Sequence, residues 1–123
     1  FIGSGRLSGT VDGGGGVNTL DYSGYDLGDT TGVVVDLLSG KASSVGEGLE
    51  SKVKNIKAVI GSDYDDELFG DNGDNVFTGG AGGDRLEGRG GYNTYILGDD
   101  FGTDEVINSS GRGALDLSGI NTA

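Results

Sequence analysis

An all-β chain wound as a parallel solenoid is the fold this sequence predicts, and three observations predict it. Glycine recurs with a nine-residue period, one large and mostly apolar residue falls at a fixed place in each period, and an acidic or amide side chain fills another. From Gly61 the sequence divides without a gap into GSDYDDELF, GDNGDNVFT, GGAGGDRLE and GRGGYNTYI, ending at Ile96. Self-similarity at a fixed spacing marks a repeat architecture, in which each unit buries its apolar face only by stacking on the next.

Each position in the period has a physical role. Position one is always glycine, and position four is glycine in three copies and Tyr64 in the first. Position six reads Asp66, Asn75, Asp84, Asn93, and position eight reads Leu68, Phe77, Leu86, Tyr95. Three residues around position eight make a short strand whose middle side chain points inward. The four position-eight residues are therefore the expected core, with the Tyr95 hydroxyl reaching solvent. The six residues before each strand make a turn that needs positive φ or close backbone approach. Two such units complete a coil of roughly 18 residues, and coils stack about 4.8 Å apart. The turn ending at Asp66 should thus lie beside the one ending at Asp84, and Asn75 beside Asn93. Past Ile96, GDDFGTDEVI (Gly98–Ile107) reads as a further turn and strand lengthened by two residues. It would set Asp104 above Asp84 and point Val106 inward.

Upstream the pattern is looser. GGGGVNTLD (Gly13–Asp21) is an isolated copy, with Asn18 and Leu20 in the polar and apolar slots. Asn18 and its glycines read as a plain turn. Thr19–Tyr22 and Gly32–Leu38 read as strands, the second apolar enough to be buried. Ser44–Ile56 is polar and reads as a loop or short irregular element before a strand at Ile56–Ile60. These strands are expected to extend the same parallel sheet and cap it. The organisation is one continuous domain: an N-terminal extension over 1–54, the repeat array over 55–107, and a C-terminal strand or cap over 108–123. Tyr22 and Tyr25 are expected to be exposed at a strand edge, a more ordinary role for them than sugar stacking.

Composition narrows the chemistry. The formal net charge is −12, with 28 glycines, no proline, no histidine and no cysteine. A polyanion of this kind disfavours nucleic acid and anionic membranes, and no apolar run approaches the roughly 20 residues of a membrane span. Without His or Cys, zinc, haem, iron–sulfur and copper sites lack their usual ligands. A surplus of oxygen donors remains, which suits Ca²⁺ or Mg²⁺. One inward side chain in nine residues is little burial to set against ordering a glycine-rich turn, and stacked carboxylates repel, so a bound cation is expected to be part of the fold. Neither DYDDE nor DNGDN has the spacing or closing Glu of an EF-hand, and the glycines match neither a dinucleotide fingerprint nor a P-loop. Paired carboxylates can serve a glycosidase, but a regular coil offers no cleft, and no catalytic group is expected in this chain. Asp65, Glu67, Glu87 and Asp100 are read as solvated surface. Phe1 opens the sequence without an initiator Met or a signal-peptide pattern, so a module of a longer protein is expected.

GGAGGDRLE (Gly79–Glu87) fits every specified position of G-G-x-G-x-D-x-U-x, the nonapeptide of the RTX, or hemolysin-type calcium-binding, family of secreted bacterial proteins. The flanking GGGGVNTLDYSG, GVVVDLLSGKAS, NIKAVIGSDYDDELFGDNGDNVFTGGAGG and ALDLSGI also resemble such a block. The resemblance implies a right-handed parallel β-roll with an N-terminal extension, holding Ca²⁺ between same-side turns. In the family the earlier turn gives carbonyls from positions two and four and its position-six carboxylate. The later turn gives carbonyls from positions one and three and its own carboxylate. Carried over, one site uses Ser62, Tyr64 and Asp66 with Gly79, Ala81 and Asp84. A second uses Gly80, Gly82 and Asp84 with Gly98 or Asp99 and Asp104. On the opposite side the corresponding set is Asp71, Gly73 and Asn75 with Gly88, Gly90 and Asn93. There the chain departs from the family: Asn keeps an oxygen but removes the charge, so that site is expected weak or empty, with Asp63 and Asp74 as partial compensation.

The resemblance further implies a secreted, extracellular module, exported by a type I system and folded by external Ca²⁺. The other expectations are a repeat block of an adhesin that meets a glycan or cell surface, and a non-catalytic accessory domain of a secreted enzyme. The strand edges of an uncapped coil end would allow end-to-end stacking with neighbouring modules.

Overall fold

The computed structural model describes residues 10–23, 32–44, 50–98, 104–108 and 112–119. Within them the chain is all-β, without helix, and its strands form two sheets whose pairings are mostly parallel. The strands are β1 (Thr10–Asp12), β2 (Thr19–Asp21), β3 (Val33–Asp36), β4 (Lys41–Ser44), β5 (Glu50–Lys54) and β6 (Ala58–Ile60). They continue as β7 (Glu67–Phe69), β8 (Asn75–Thr78), β9 (Arg85–Glu87), β10 (Tyr92–Gly98), β11 (Glu105–Ile107) and β12 (Arg112–Gly119). One sheet runs β1-β5-β4-β3-β7-β9-β11 and the other β12-β10-β8-β6-β2.

From β6 onward each successive strand joins the sheet its predecessor did not, so neighbours within a sheet come from alternate repeats. Glu67 pairs with Arg85 and Leu68 with Leu86, while Asn75 pairs with Asn93 and Phe77 with Tyr95. The strand that closes the lengthened segment keeps the same order, with Glu105 opposite Arg85 and Val106 opposite Leu86.

Strand periodicity decides what is buried. In β7 and β9 only the middle residue is fully inside, giving Leu68 and Leu86 at 0% exposure. The other sheet stacks Leu20, Val59, Phe77 and Tyr95 in register, and the Phe77 and Tyr95 rings lie 6.0 Å apart. Val35 extends the first column opposite Leu68, and Val33 is buried two residues before it, as their apolar run leads one to expect. Burying a column of large side chains is what makes three-residue strands tenable.

The N-terminal part departs from an extended parallel sheet. β3 pairs with β4 antiparallel, and β4 with β5 antiparallel, before β5 meets β1 in parallel. The reversal starts at Asp36, whose Oδ1 accepts the amides of Leu38 and Ser39, and Gly40 completes it at φ 73°. The stretch Ser44–Ile56, expected as a loop, therefore contains a strand. Its signal is the alternation at Lys52, Val53 and Lys54, with the lysines exposed and Val53 buried.

Three side chains also differ from expectation. Tyr22 is 3% exposed because it follows Leu20 by two residues and faces the same interior; Tyr25 lies outside the described residues. The Tyr95 hydroxyl is inside too, donating to Asn108 Oδ1 at 2.9 Å. Val106 pairs with Leu86 as foreseen but is 36% exposed, since β11 ends its sheet among the described strands and only one flank is covered.

Candidate metal centre

The two sheets give the molecule two sides, each with its own column of position-six residues. On one side the register aligns Val33, Asp66, Asp84 and Asp104, and side chains lock the column. Asp66 Oδ1 accepts the Val33 amide at 2.8 Å, Asp84 Oδ1 the Asp66 amide at 2.9 Å, and Asp104 Oδ1 the Asp84 amide at 2.8 Å. Each carboxylate thus caps the preceding turn. Position five bonds in the opposite direction: Asp65, though exposed, accepts the Gly83 amide at 2.7 Å.

Glycine makes this close stacking feasible. The Asp84 carboxylate folds back beneath Gly79, where a Cβ would lie 2.5 Å from Asp84 Oδ2. Gly82 has φ 89°, and a Cβ there would meet the Tyr64 carbonyl carbon at 2.7 Å. Both positions combine a close approach with a turn that few side chains could enter.

The three acids are not equivalent. Asp66 is internally satisfied: Ser62 donates its hydroxyl to Oδ1 and its amide to Oδ2, both at 2.7 Å. Asp84 Oδ2 and Asp104 Oδ2 are buried with no hydrogen-bond partner among the described residues. Leaving a buried carboxylate oxygen unpaired is costly, so a group that satisfies it from outside the chain gains affinity. Burial pushes the Asp84 carboxyl up to about 8, its neighbours Asp66 and Asp104 adding to the rise and the Asp66 amide opposing it. Burial likewise pushes Asp66 up to about 6 against the Ser62 and Val33 bonds, and raises Asp104. A cation would reverse those shifts.

Among the described residues no three acidic side chains gather round one point. The carboxylates arrive one per turn, so a cation here must complete its shell with backbone carbonyls or water. A hard, flexible, oxygen-seeking ion with a high coordination number suits that donor set. The sequence-derived residues of this side are brought together in two stacked turns, Gly61–Asp66 and Gly79–Asp84, with Ser62, Tyr64, Asp66, Gly79, Gly80, Ala81, Gly82 and Asp84 in register and Asp104 next in the column. Gly98 instead closes β10 in the other sheet, and Asp99 lies outside the described residues. A concavity of about 260 Å³ opens beside the column, lined by Asp65, Asp66, Asp84 and Glu105 with Arg85. The Ser62 hydroxyl escaped the sequence reading; its signal is a hydroxyl residue four positions before a buried aspartate.

The opposite side aligns Asn18, Lys57, Asn75 and Asn93. Asn93 Oδ1 accepts the Asn75 amide at 3.1 Å, the same capping bond in neutral form. Asp71, Gly73, Gly88 and Gly90 flank these amides as expected. Asp74 Oδ1 accepts the Tyr92 amide at 2.7 Å, and Asp63 is exposed on the other side of the coil. An exposed aromatic face lies here at Tyr92, beside Val17 and Val76, in a groove of about 460 Å³. Comparison with models of known protein families and with curated proteins finds no match for this chain.

Proposed function

We propose that the chain is a calcium-binding module of RTX type, a parallel β-roll whose turns close on Ca²⁺ outside the cell. The observation that carries this reading is the column Asp66–Asp84–Asp104, in which two buried carboxylate oxygens have no partner among the described residues. Alternation of strands between two sheets, at the spacing of one coil per two repeats, supports the roll. The nonapeptide resemblance supports the choice of Ca²⁺.

Two sites follow from the column. Ser62, Tyr64 and Asp66 with Gly79, Ala81 and Asp84 hold one ion; Gly80, Gly82 and Asp84 with Asp104 hold the other. The unpartnered oxygens on Asp84 and Asp104 favour the second site, since the Ser62 hydroxyl and amide already serve Asp66. Bound Ca²⁺ supplies positive charge between stacked carboxylates, and its binding free energy becomes folding free energy. In low cytosolic Ca²⁺ the chain stays loose enough for export; outside, roughly 10⁻⁴–10⁻³ M Ca²⁺ folds it, the range of extracellular modules. The role is structural and linked to secretion, not enzymatic. The adhesin and accessory-domain readings share this chemistry and differ in what the module is attached to.

Circular dichroism during Ca²⁺ titration of EDTA-stripped protein tests the proposal, with Mg²⁺ as control. A coil spectrum that turns to β with Ca²⁺ and not with Mg²⁺ is expected. A stripped protein already folded and indifferent to Ca²⁺ would sink it.

A further inference from the structure

We infer that the Asn75/Asn93 side of the coil is braced by two fixed side-chain cations, Lys57 and Arg89, which stand where a metal ion would otherwise be needed. This deepens the calcium reading by confining metal loading to the opposite side.

Register gives the first reason. Ala58 pairs with Val76 and Thr19 with Ala58, so Lys57 occupies the slot that carries Asn18, Asn75 and Asn93 in neighbouring strands. These four positions contain a cation and no carboxylate. The Lys57 ammonium lies 3.3 Å from Asp71 Oδ2, and a Cβ built on Gly73 would sit 3.2 Å from it. It therefore occupies the turn whose Asp71 and Gly73 carbonyls the sequence assigned to a metal. A divalent ion placed there would meet a like charge at contact distance.

The amides give the second. A carboxamide differs from a carboxylate in carrying donors, and here the donors are used. Asn93 Nδ2 donates to the Gly90 carbonyl at 3.0 Å, one of the oxygens a metal would take. Asn75 Nδ2 donates to the Lys57 carbonyl at 3.3 Å. Asn18 Nδ2 donates to the carbonyls of Gly14 and Gly15 at 3.2 Å and of Asn55 at 3.0 Å. Turn carbonyls are tied up from within.

Arg89 gives the third. It takes φ 65° at the position where the preceding repeat has Gly80 at φ 88°. A left-handed backbone disfavours any residue but glycine, and it persists where its surroundings hold it. The guanidinium shows what holds it. It donates to the Gly70 carbonyl at 3.0 Å and to both Asp36 oxygens at 2.7 and 3.2 Å, and lies 5.3 Å from the Phe69 ring centre. A planar fork of this kind satisfies carbonyl and carboxylate together, with a directionality an ammonium lacks. Glycine at this site would relieve the backbone and lose the cation.

Two variants test the brace by thermal unfolding and by native-mass-spectrometric ion counting of the whole chain. If a metal occupied this side, Asn93→Asp would restore a ligand charge and tighten Ca²⁺ binding. In a metal-free brace the same change removes the donor to Gly90, so Asn93→Asp should lower Tm and leave the ion count at the wild-type value. Arg89→Gln should lower Tm by roughly 5 °C, with the same deficit at about 1 mM and about 10 mM Ca²⁺. A higher Tm or an additional ion in Asn93→Asp would overturn the inference, as would an Arg89→Gln chain that loses nothing or is restored by Ca²⁺. Absence of any Ca²⁺ response in the wild type would remove the calcium reading, and the Arg89→Gln deficit would still decide the brace.

Discussion

The two columns of position-six residues, Asp66–Asp84–Asp104 and Asn75–Asn93, solve one problem in different ways. Both stack turns 18 residues apart, and both use the position-six side chain to cap the amide of the preceding turn. On the Asp66–Asp84–Asp104 side the caps are carboxyl groups, Asp66 and Asp84 buried, and two of their oxygens have no hydrogen-bond partner among the described residues, which leaves the stack open to an external charge. On the Asn75–Asn93 side the caps are neutral, their spare hydrogens meet carbonyls, and the charges present are fixed in ion pairs with Asp71 and Asp36. On the proposed reading, one oxygen-for-nitrogen exchange per turn would separate a metal-dependent half from a self-sufficient one. On that reading repeat position alone does not make a metal site, because hydrogen-bond donors in the slot take the oxygens a metal would need.

The largest expected effect breaks this contrast at its centre. Asp84 belongs to both proposed sites, so Asp84→Ala should abolish Ca²⁺-driven folding at millimolar concentrations and remove the bound ions together. Asn75→Ala should cost stability through the orphaned Asp71 amide while leaving the ion count unchanged. Isothermal titration calorimetry or native mass spectrometry separates the two variants. Equal ion loss in both would erase the distinction between the sides.

A change of pH should pull the sides apart without mutation. Burial raises Asp66 to about 6 and Asp84 to about 8 from an ordinary 3.8, so the metal-free fold binds more protons than the unfolded chain. The sign follows: their protonated state favours the metal-free fold fully below about pH 4, and that support is lost as pH climbs through 6 and 8. Asp36 runs the other way. Burial pushes it up, but the hydrogen bonds and charge of Arg89, with the Ser39 and Leu38 amides, outweigh that and hold it below 3.8. Its contribution is present above that value and fades only in stronger acid. Because Ca²⁺ must displace the protons on the Asp side, its affinity should rise by up to about tenfold per pH unit for each proton released across that window. Ca²⁺ titrations followed by circular dichroism at pH 5, 6, 7 and 8 would show the trend. A midpoint independent of pH would mean that these acids are not the ligands.

Much of this contrast was legible in the sequence, for a physical reason. A nine-residue period fixes strand, turn and register together, so Leu68, Phe77 and Leu86 fall inside and Asp66 aligns with Asp84. Even past the irregular segment, Asp104 keeps its place in the column, its carboxylate accepting the Asp84 amide. Where the period ends, legibility ends. The β3–β4–β5 reversal depends on Asp36 and Gly40, and β5 hid in a polar stretch where Val53 is the strand's buried apolar residue among those described. Lys57 and Arg89 were not readable as a pair, since their partners Asp71 and Asp36 lie 14 and 53 residues away. Long-range ion pairs leave no mark on a local pattern. The same holds for the Tyr95 hydroxyl, whose partner Asn108 sits 13 residues downstream.

That hydroxyl offers the smallest and most discriminating perturbation. Tyr95 shares the core column with Phe77, yet its oxygen joins the amide side by donating to Asn108, which also lies 3.4 Å from Asn93 Nδ2. Tyr95→Phe keeps the ring and its stacking on Phe77 while deleting that one donor. The Asn108 oxygen retains the amide contact and, being exposed, can take water instead. A loss of about 1 kcal/mol is expected, the usual net value of one such hydrogen bond. The ion count should not move, because the lost bond lies wholly on the amide side. A calorimetric Tm with parallel ion counting decides it: a change in bound Ca²⁺ would show that the two sides communicate through the core column and are not independent.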